Sequence, residues 1–372
     1  MGRGVKILFH CVYFPPEVGG LESHVYYLAR AMVDRGHQVA VLTSRSLPGV
    51  LREEDMEGIR VVRTWFPSRT PLGWTVHALG SLPRTAALAR WADVIHAQAF
   101  PSVVPGVLGR WVSGAPLVAT FHTSHFLIRA RKPLWRPVLK TLVRLPEHVL
   151  AASGEIARVA EDLAPGTRVE ALANGVETSF FRRVEPSLPD PGLPRIIVPR
   201  RLFPKNGVEY LVRAMPSILR ETPVHAVLIG DGPERGRLEA LAAELGVEAS
   251  LTFLGKRPHA DMPGLLSSGT LAVIPSLMEA TSVAALEAMA CELPVAASRV
   301  GGLPEIVDEE VGRLFEPGDP EALARAVVEL LGDGDLAALG ARARERVVDR
   351  WSNDRLADRH LEIYRELLGR GG

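Results

Sequence analysis

Short apolar runs recur along the chain, and longer segments of helical periodicity separate them. VKILFHCVYF, HQVAVLTS, IRVVRTW, ADVIHAQ, PLVATFH, HVLAAS and RVEALAN each read as a buried strand, with patterns such as LESHVYYLARAMVDRG between them. The rhythm starts again after the proline-rich PSLPDPGLP, with RIIVPRR, VHAVLIGDG, SLTFLG, TLAVIPS and PVAASRV. Alternation of this kind predicts an α/β protein built from two Rossmann-like, doubly wound domains. The expected boundaries are 1–185 for the first domain, 186–194 for a linker and 195–350 for the second domain. Residues 351–372 continue as an amphipathic helix rather than another βα unit, and this helix is expected to cross back to the first domain.

Composition narrows the class. The 372 residues are 47% hydrophobic with few aromatics, which suits large Val, Leu, Ala and Ile cores and excludes disorder. Lys plus Arg and Asp plus Glu both number 43, a balance that argues against nucleic acid as a partner. Cys11 and Cys291 lie far apart in apolar segments, without ligand spacing or a disulfide framework, and fit a reducing cytoplasm. The opening MGRGVKILFHCVYF reads as a strand after a short basic lead rather than a secretory signal, and no apolar run reaches membrane-spanning length. Asp333-Gly334-Asp335 spells a metal-like DxD, but it falls between late helices, where a polar turn is the better reading.

In open α/β sheets ligands gather at the carboxyl ends of the strands. The chemically suggestive residues of this chain fall there: Gly19-Gly20 after the first strand, His122 after VATF, LFPKNG after VPRR, GDGP with Gly230 after VLI, Lys256-Arg257 after FLG, and PSLMEATSVAALEAMA after VIPS. A single glycine pair is a tight turn, whereas six such loops on one side of two sheets indicate a ligand. In the last segment Val283, Leu286, Met289, Ala290 and Leu293 repeat at helical spacing, and Glu287 borders that stripe. Its helical neighbours Val283, Ala284, Ala290 and Cys291 offer no cation. Thr281 or Ser282 can cap the helix, but its first turn has no acid, so open amides and an unpaired carboxylate lie one turn apart. The first suits an anion and the second suits sugar hydroxyls, which together make half of a nucleotide site. The bland alternative is a surface glutamate on an ordinary helix.

PPEVGGLESHVYYLARAMVDRGHQVAVLT, ATFHTS, LANGVETSFF, RRLFPKNGVEYLVRAM, LIGDGPERGRLEALAAELG, LTFLGKR, PSLMEATSVAALEAMA, VGGLPEIV and GRLFEPGDPEALA together resemble the retaining glycosyltransferases of family 4, also called glycosyltransferase group 1. Nearly the whole chain takes part in the resemblance. It implies the GT-B fold, two Rossmann-like domains facing across a cleft, and transfer of a sugar from a nucleoside-diphosphate sugar to an acceptor hydroxyl with retained configuration. By resemblance Glu287 grips the ribose, while Glu279 and His122 lie near the transferred sugar. Arg201 holds the diphosphate and stabilises the leaving group, so His122, Glu279 and Arg201 are the expected catalytic residues. Gly19, Gly20, Arg201, Lys205, Gly230, Lys256, Arg257, Ala280, Thr281, Ser282, Val283 and Glu287 are the expected donor-binding set. The family's Glu-Lys-Gly is Lys205-Asn206-Gly207 here, so the cation is shifted by one position. Its Gly-Phe-Gly is Ala280-Thr281-Ser282, which keeps residues small but alters the surroundings of the sugar. No metal is required, because cations and helix ends supply the positive charge, and no other cofactor is implied.

Alternatives within the fold are a polysaccharide-extending transferase, a transferase with a soluble acceptor, and a non-catalytic nucleotide-sugar binder. An oxidoreductase is disfavoured by the absence of GxGxxG after a strand with its following acid. A monomer or weak oligomer is expected. One asymmetry bears on the acceptor: between Glu57 and Glu147 the only acid is Asp93, against twelve Arg and Lys residues and five tryptophans. Within it FLIRARKPLWRPVLKTLVRLP interleaves apolar and basic positions as an interfacial segment does. An anionic membrane surface presenting a lipid-linked acceptor, approached peripherally from the cytoplasm, is one expectation; a solvated basic face is the other.

Overall fold

The structure, a computed structural model, describes residues 4–17, 20–122 and 124–369. Contacts divide the chain into two units, Met1–Gly175 with Asn353–Gly372, and Val176–Ser352. The first unit holds β1 (Lys6–His10), β2 (Gln38–Ser44), β3 (Glu53–Met56), β4 (Ile59–Thr64), β5 (Val94–Gln98), β6 (Leu117–Phe121), β7 (His148–Ala151) and β8 (Val169–Ala171). They form one sheet in the order β3-β4-β2-β1-β5-β6-β7-β8, parallel except for the β3–β4 hairpin. Its helices in chain order are α1 (Gly20–Asp34), α2 (Pro71–Ala89), α3 (Val103–Ser113), α4 (Ser124–Ala130), α5 (Arg136–Arg144) and α6 (Gly154–Leu163). Strands covered on both faces need apolar residues at every position, and β5 and β6 are buried throughout. The edge strand β3 is Glu-Glu-Asp-Met and partly exposed, so no apolar run announces it.

The second unit holds β9 (Arg195–Val198), β10 (His225–Ile229), β11 (Leu251–Gly255), β12 (Leu271–Ile274), β13 (Val295–Ser298) and β14 (Gly312–Phe315), in the order β11-β10-β9-β12-β13-β14. All of its strand pairings are parallel. The helices are α7 (Val208–Glu221), α8 (Arg235–Glu244), α9 (Met262–Ser267), α10 (Val283–Ala290), α11 (Leu303–Ile306), α12 (Pro320–Leu331) and α13 (Leu336–Trp351). Strand order reverses between β9 and β12 here, and between β1 and β5 in the first unit. At such switch points successive helices leave to opposite faces and open a crevice. The proline-rich stretch runs along the second unit, where the amides of Ser187 and Leu188 reach Gly264 O and Ser268 Oγ at 3.1 and 3.0 Å. Asp333 and Asp335 are occupied structurally: Asp333 pairs with Arg313 at 3.2 Å, and Asp335 caps α13 through the Ala338 amide at 3.0 Å.

The last helix, α14 (Asn353–Gly369), belongs to the first unit. Leu356, Ala357, Leu361, Ile363, Tyr364 and Leu367 join the core of β1, β2 and α1. The fully buried Tyr364 hydroxyl meets His96 Nδ1 at 2.6 Å, and His96 Nε2 meets Thr120 Oγ1 at 2.7 Å. Arg35 adds ion pairs to Asp354 and Asp358 at 2.9 Å each, and Arg359 binds Glu170 at 2.8 Å.

Burial in this unit keeps a set of histidines neutral. His77, His122 and His360 are each held down to about 4, and His10, His24 and His96 well below the ordinary 6.5, with desolvation the leading cause throughout. Above pH 6.5 folded and unfolded chains are both neutral at these rings, and their contribution is complete. As pH falls from 6.5 toward 4 the unfolded chain takes up protons that the fold refuses, removing about 1.4 kcal/mol per pH unit for each such histidine. Hydrogen exchange at pH 7.5 and 5.5, corrected for intrinsic rates, is therefore expected to show the β1, β5 and β6 amides losing far more protection than those of β9, β12 and β13. Equal losses in both sheets would refute this account.

Candidate functional site

The second unit's switch point gathers two loops. After β9 comes Arg200, whose Nη2 lies 2.5 Å from Ser276 Oγ, 2.5 Å from Glu279 Oε2 and 3.2 Å from Asn206 Oδ1. The Arg200 and Glu279 side chains are only 10% and 16% exposed, and Ser276 also donates to Glu279 Oε2 at 3.2 Å. A backbone bond from Leu277 N to Lys205 O at 2.9 Å ties the same loops again. Two glycines permit this closeness. Gly301 has φ +56° and a Cβ there would stand 1.9 Å from Glu279 O, while Gly230 has φ +150° and a Cβ would stand 2.2 Å from Arg200 O. Gly230, expected among the ligand-binding residues, is thus seated against the backbone of Arg200.

With Glu279 taken by Arg200, the neighbouring cations keep their charge uncompensated. Arg201 is exposed, its guanidinium 5.7 Å from the centre of the Phe203 ring, and no carboxylate among the described residues pairs with it. Lys205 is also exposed and without an ion pair among the described residues. Its pKa is lowered, first by the protein packed around its ammonium and further by Arg201 and Arg200, with Glu279 opposing. Lys256 and Arg257 stand exposed immediately after β11.

Between the acids, Ala280, Thr281 and Ser282 are buried, and Ser282 caps α10 by accepting from the Ala285 amide at 3.3 Å. The first turn of α10 contains no acid, and among the described residues no acceptor meets the amides of Val283 and Ala284. Glu287 lies one turn on, its side chain 14% exposed, with His259 Nε2 at 3.7 Å. Local spacing could not announce this partner, because it arrives from the segment after β11. His259 is itself held by Phe180, stacked at 5.3 Å and 7°, and edge-on by Phe181 at 5.2 Å.

His122 belongs to the first unit and is buried at the end of β6. Its Nδ1 lies 2.7 Å from Asn174 Oδ1, and its Nε2 faces Gln98 Oε1. A neutral imidazole donates from one nitrogen only. Gln98 Nε2 has no partner, so turning that amide end over lets it donate to His122 Nε2 while Nδ1–H donates to Asn174. Both ring nitrogens are then satisfied, with the ring of His24 at 5.1 Å. Gly20 opens α1, whose first turn carries Glu22 in contrast to α10, and Gly19 lies outside the described residues.

The second-unit arrangement therefore offers an anion two exposed cations and open amides, with carboxylates on either side that suit hydroxyl donors. Known proteins agree on its class. Residues 182–346 match the family described as "Glycosyl transferases group 1", and residues 18–180 match "Glycosyltransferase Family 4". D-inositol 3-phosphate glycosyltransferase of Acidothermus cellulolyticus is 31% identical over 95% of this chain and 86% of its own. GDP-mannose-dependent alpha-(1-6)-phosphatidylinositol monomannoside mannosyltransferase of Mycolicibacterium smegmatis is 28% identical over 91% and 92%. Among solved structures, sucrose-phosphate synthase from Thermosynechococcus elongatus superposes with a TM-score of 0.86 at 25% identity, covering 99% of this chain and 100% of the other.

Arg200 was not among the residues expected from sequence, and it generates a test of the site's construction. Arg200→Met leaves Glu279 without its cation and is expected to destabilise the second unit by about 3 kcal/mol. Adding Glu279→Gln is expected to recover most of that loss, since the uncompensated charge is then gone. Denaturant unfolding of the two single variants and the double variant measures the coupling, and simply additive losses would count against it.

Proposed function

We propose, from the premise that this chain belongs to the group 1 glycosyltransferases, also called family 4, that it moves a sugar from a nucleoside-diphosphate sugar to an acceptor hydroxyl with retained anomeric configuration. The observation that carries the donor assignment is the uncompensated pair Arg201 and Lys205, set at the switch point with the open start of α10. A diphosphate completes that charge. Glu287 accepts from the ribose hydroxyls, with His259 beside it, and Gly230, Lys256 and Arg257 border the nucleotide. Ala280 to Val283 turn their backbone toward sugar and diphosphate, and Glu279, fixed by Arg200, borders the sugar.

In this mechanism the departing nucleoside diphosphate develops negative charge, which Arg201, Lys205 and the α10 amides stabilise from fixed positions. The leaving phosphate takes the acceptor proton on the face from which it departs. These groups supply the positive charge themselves, so the mechanism needs no divalent metal. His122 is assigned to the transferred sugar by resemblance, and for its Nε2 to serve a sugar hydroxyl Gln98 must yield its place.

The proposed acceptor is membrane-associated. The two relatives named above carry inositol 3-phosphate and phosphatidylinositol monomannoside in their names. Within this chain's basic interval, Arg63, Arg69 and Arg110 pair with Glu54, Glu17 and Glu147, and Arg60 and Arg84 share Glu53. Arg131, Lys132, Arg136, Lys140 and Arg144 are exposed and meet no acid among the described residues. Leu134, 89% exposed, and the exposed Val138 lie among them, while Leu139, Leu142 and Val143 anchor α5 to the core. A basic segment with protruding apolar residues suits peripheral docking on an anionic leaflet. Among the described residues no helix is long and apolar enough to cross a membrane.

Two outcomes test these assignments. Glu287→Ala is expected to keep its fold and lose about 2 to 4 kcal/mol of nucleotide affinity, read by calorimetry with UDP and GDP. Unchanged affinity in a folded variant would remove Glu287 from the ribose. Wild-type protein is expected to sediment with vesicles in proportion to their anionic lipid at low salt and to be released at high salt, each engaged basic residue contributing about 1 kcal/mol. Indifference to anionic vesicles at low salt would instead point to a soluble acceptor.

A further inference from the structure

One cation of the first unit is treated unlike any other. Arg129, on α4 just beyond His122, is only 8% exposed, yet among the described residues no carboxylate pairs with it. Its guanidinium carbon lies 5.2 Å from the ring centre of Trp74, 5.0 Å from that of Phe100 and 5.0 Å from that of Trp135. The sole hydrogen bond among the described residues runs from Nη1 to His125 O, one turn back on the same helix, at 3.3 Å. Three aromatic faces stabilise the charge and fix the plane of the fork, but they accept nothing from its N–H edges. Enclosed by rings but with Nε and Nη2 still touched by solvent, the guanidinium keeps an edge free to donate, and burial lowers its pKa.

Its place in the fold gives this free N–H edge a meaning. Phe100 follows β5, and Tyr13, which follows β1, accepts from Trp74 Nε1 at 2.9 Å. These strands flank the first unit's switch point, where an open α/β sheet receives a ligand. Trp74 and Trp135 are partly exposed and the His125 ring lies 5.7 Å from Trp74, so the cage reaches the surface.

We propose that the Arg129 cage is an acceptor subsite for a phosphate ester, with two phosphate oxygens received by the in-plane N–H edge. The proposal rests on the transferase reading above and names the chemical class of its acceptor. A planar fork held among aromatic rings can meet phosphate bidentately, whereas lysine offers a single point charge. A polyol phosphate in solution and a phospholipid headgroup share this chemistry.

The test uses the full chain with its nucleotide site saturated by UDP or GDP, so that added phosphate has no access there. Inorganic phosphate and glycerol 3-phosphate are titrated while tryptophan fluorescence is followed, and vesicles of phosphatidylcholine with and without phosphatidylinositol are tested by flotation. Wild type is expected to saturate with at least one probe class, Arg129→Met to bind about 10- to 100-fold more weakly, and Arg129→Lys to fall between them. Arg129-dependent binding of soluble esters alone identifies a free polyol phosphate, and Arg129-dependent flotation alone identifies a headgroup. Absence of saturable binding by wild type in both arms, or wild-type affinity in Arg129→Met, overturns the proposal. If that variant does not fold, the Arg129 Nε–H resonance of labelled wild type decides the matter, since a shift on phosphate addition is required. Failure of wild type to bind UDP and GDP would sink the donor reading instead, and phosphate binding at Arg129 is then measured without nucleotide.

Discussion

The second unit's site depends on one guanidinium shared between two loops. Arg200, leaving β9, engages Glu279, Ser276 and Asn206 at once, and so joins the segments that diverge from neighbouring strands at the switch point. Its effect is electrostatic as well as geometric. Glu279 is the carboxylate whose charge acts on Lys205. By satisfying the acid from behind, Arg200 leaves both neighbours charged and exposed. The glycines Gly230 and Gly301 contribute by letting backbones meet where a side chain would hold them apart.

The two units handle buried polarity in different ways. In the second, an arginine is compensated by an acid and hydroxyl and amide oxygens. In the first, histidines are kept neutral by burial, with hydrogen bonds such as His96 to Tyr364 and Thr120 fixing their rings, while Arg129 lies among rings. Neutral imidazoles add rigidity without a field. An arginine held by rings retains its field, because a quadrupole stabilises a cation without cancelling its charge.

Most of the strand framework was legible in the sequence, because parallel strands buried on both faces leave continuous apolar runs such as ADVIHAQ and PLVATFH. The acidic edge strand Glu53–Met56 was not, since it is shaped by the hairpin and by ion pairs to Arg60 and Arg84 rather than by burial. A cap at Thr281 or Ser282, which proves to be Ser282, and the acid-free first turn were readable from local chemistry alone. Partners arriving from other elements were not: Arg200 for Glu279 and His259 for Glu287 are remote in the chain from the acids they meet. The basic interval was overcounted for the same reason. Its neutralising acids Glu17, Glu53, Glu54 and Glu147 all lie outside it in sequence, and only the 131–144 stretch keeps a concentrated excess.

The membership of α14 in the first unit has a consequence for the order in which the protein is made. The second unit is continuous from Val176 to Ser352, so all of its strands are available before the final helix has been synthesised. The first unit begins earlier but needs Leu356, Leu361 and Tyr364 to close its core, and His96 waits 268 residues for its hydroxyl partner. On a ribosome the usual order, in which the amino-terminal domain matures first, is thereby reversed. Until α14 is made, α1 covers its share of that core and the share of Leu356, Leu361 and Tyr364 stays open.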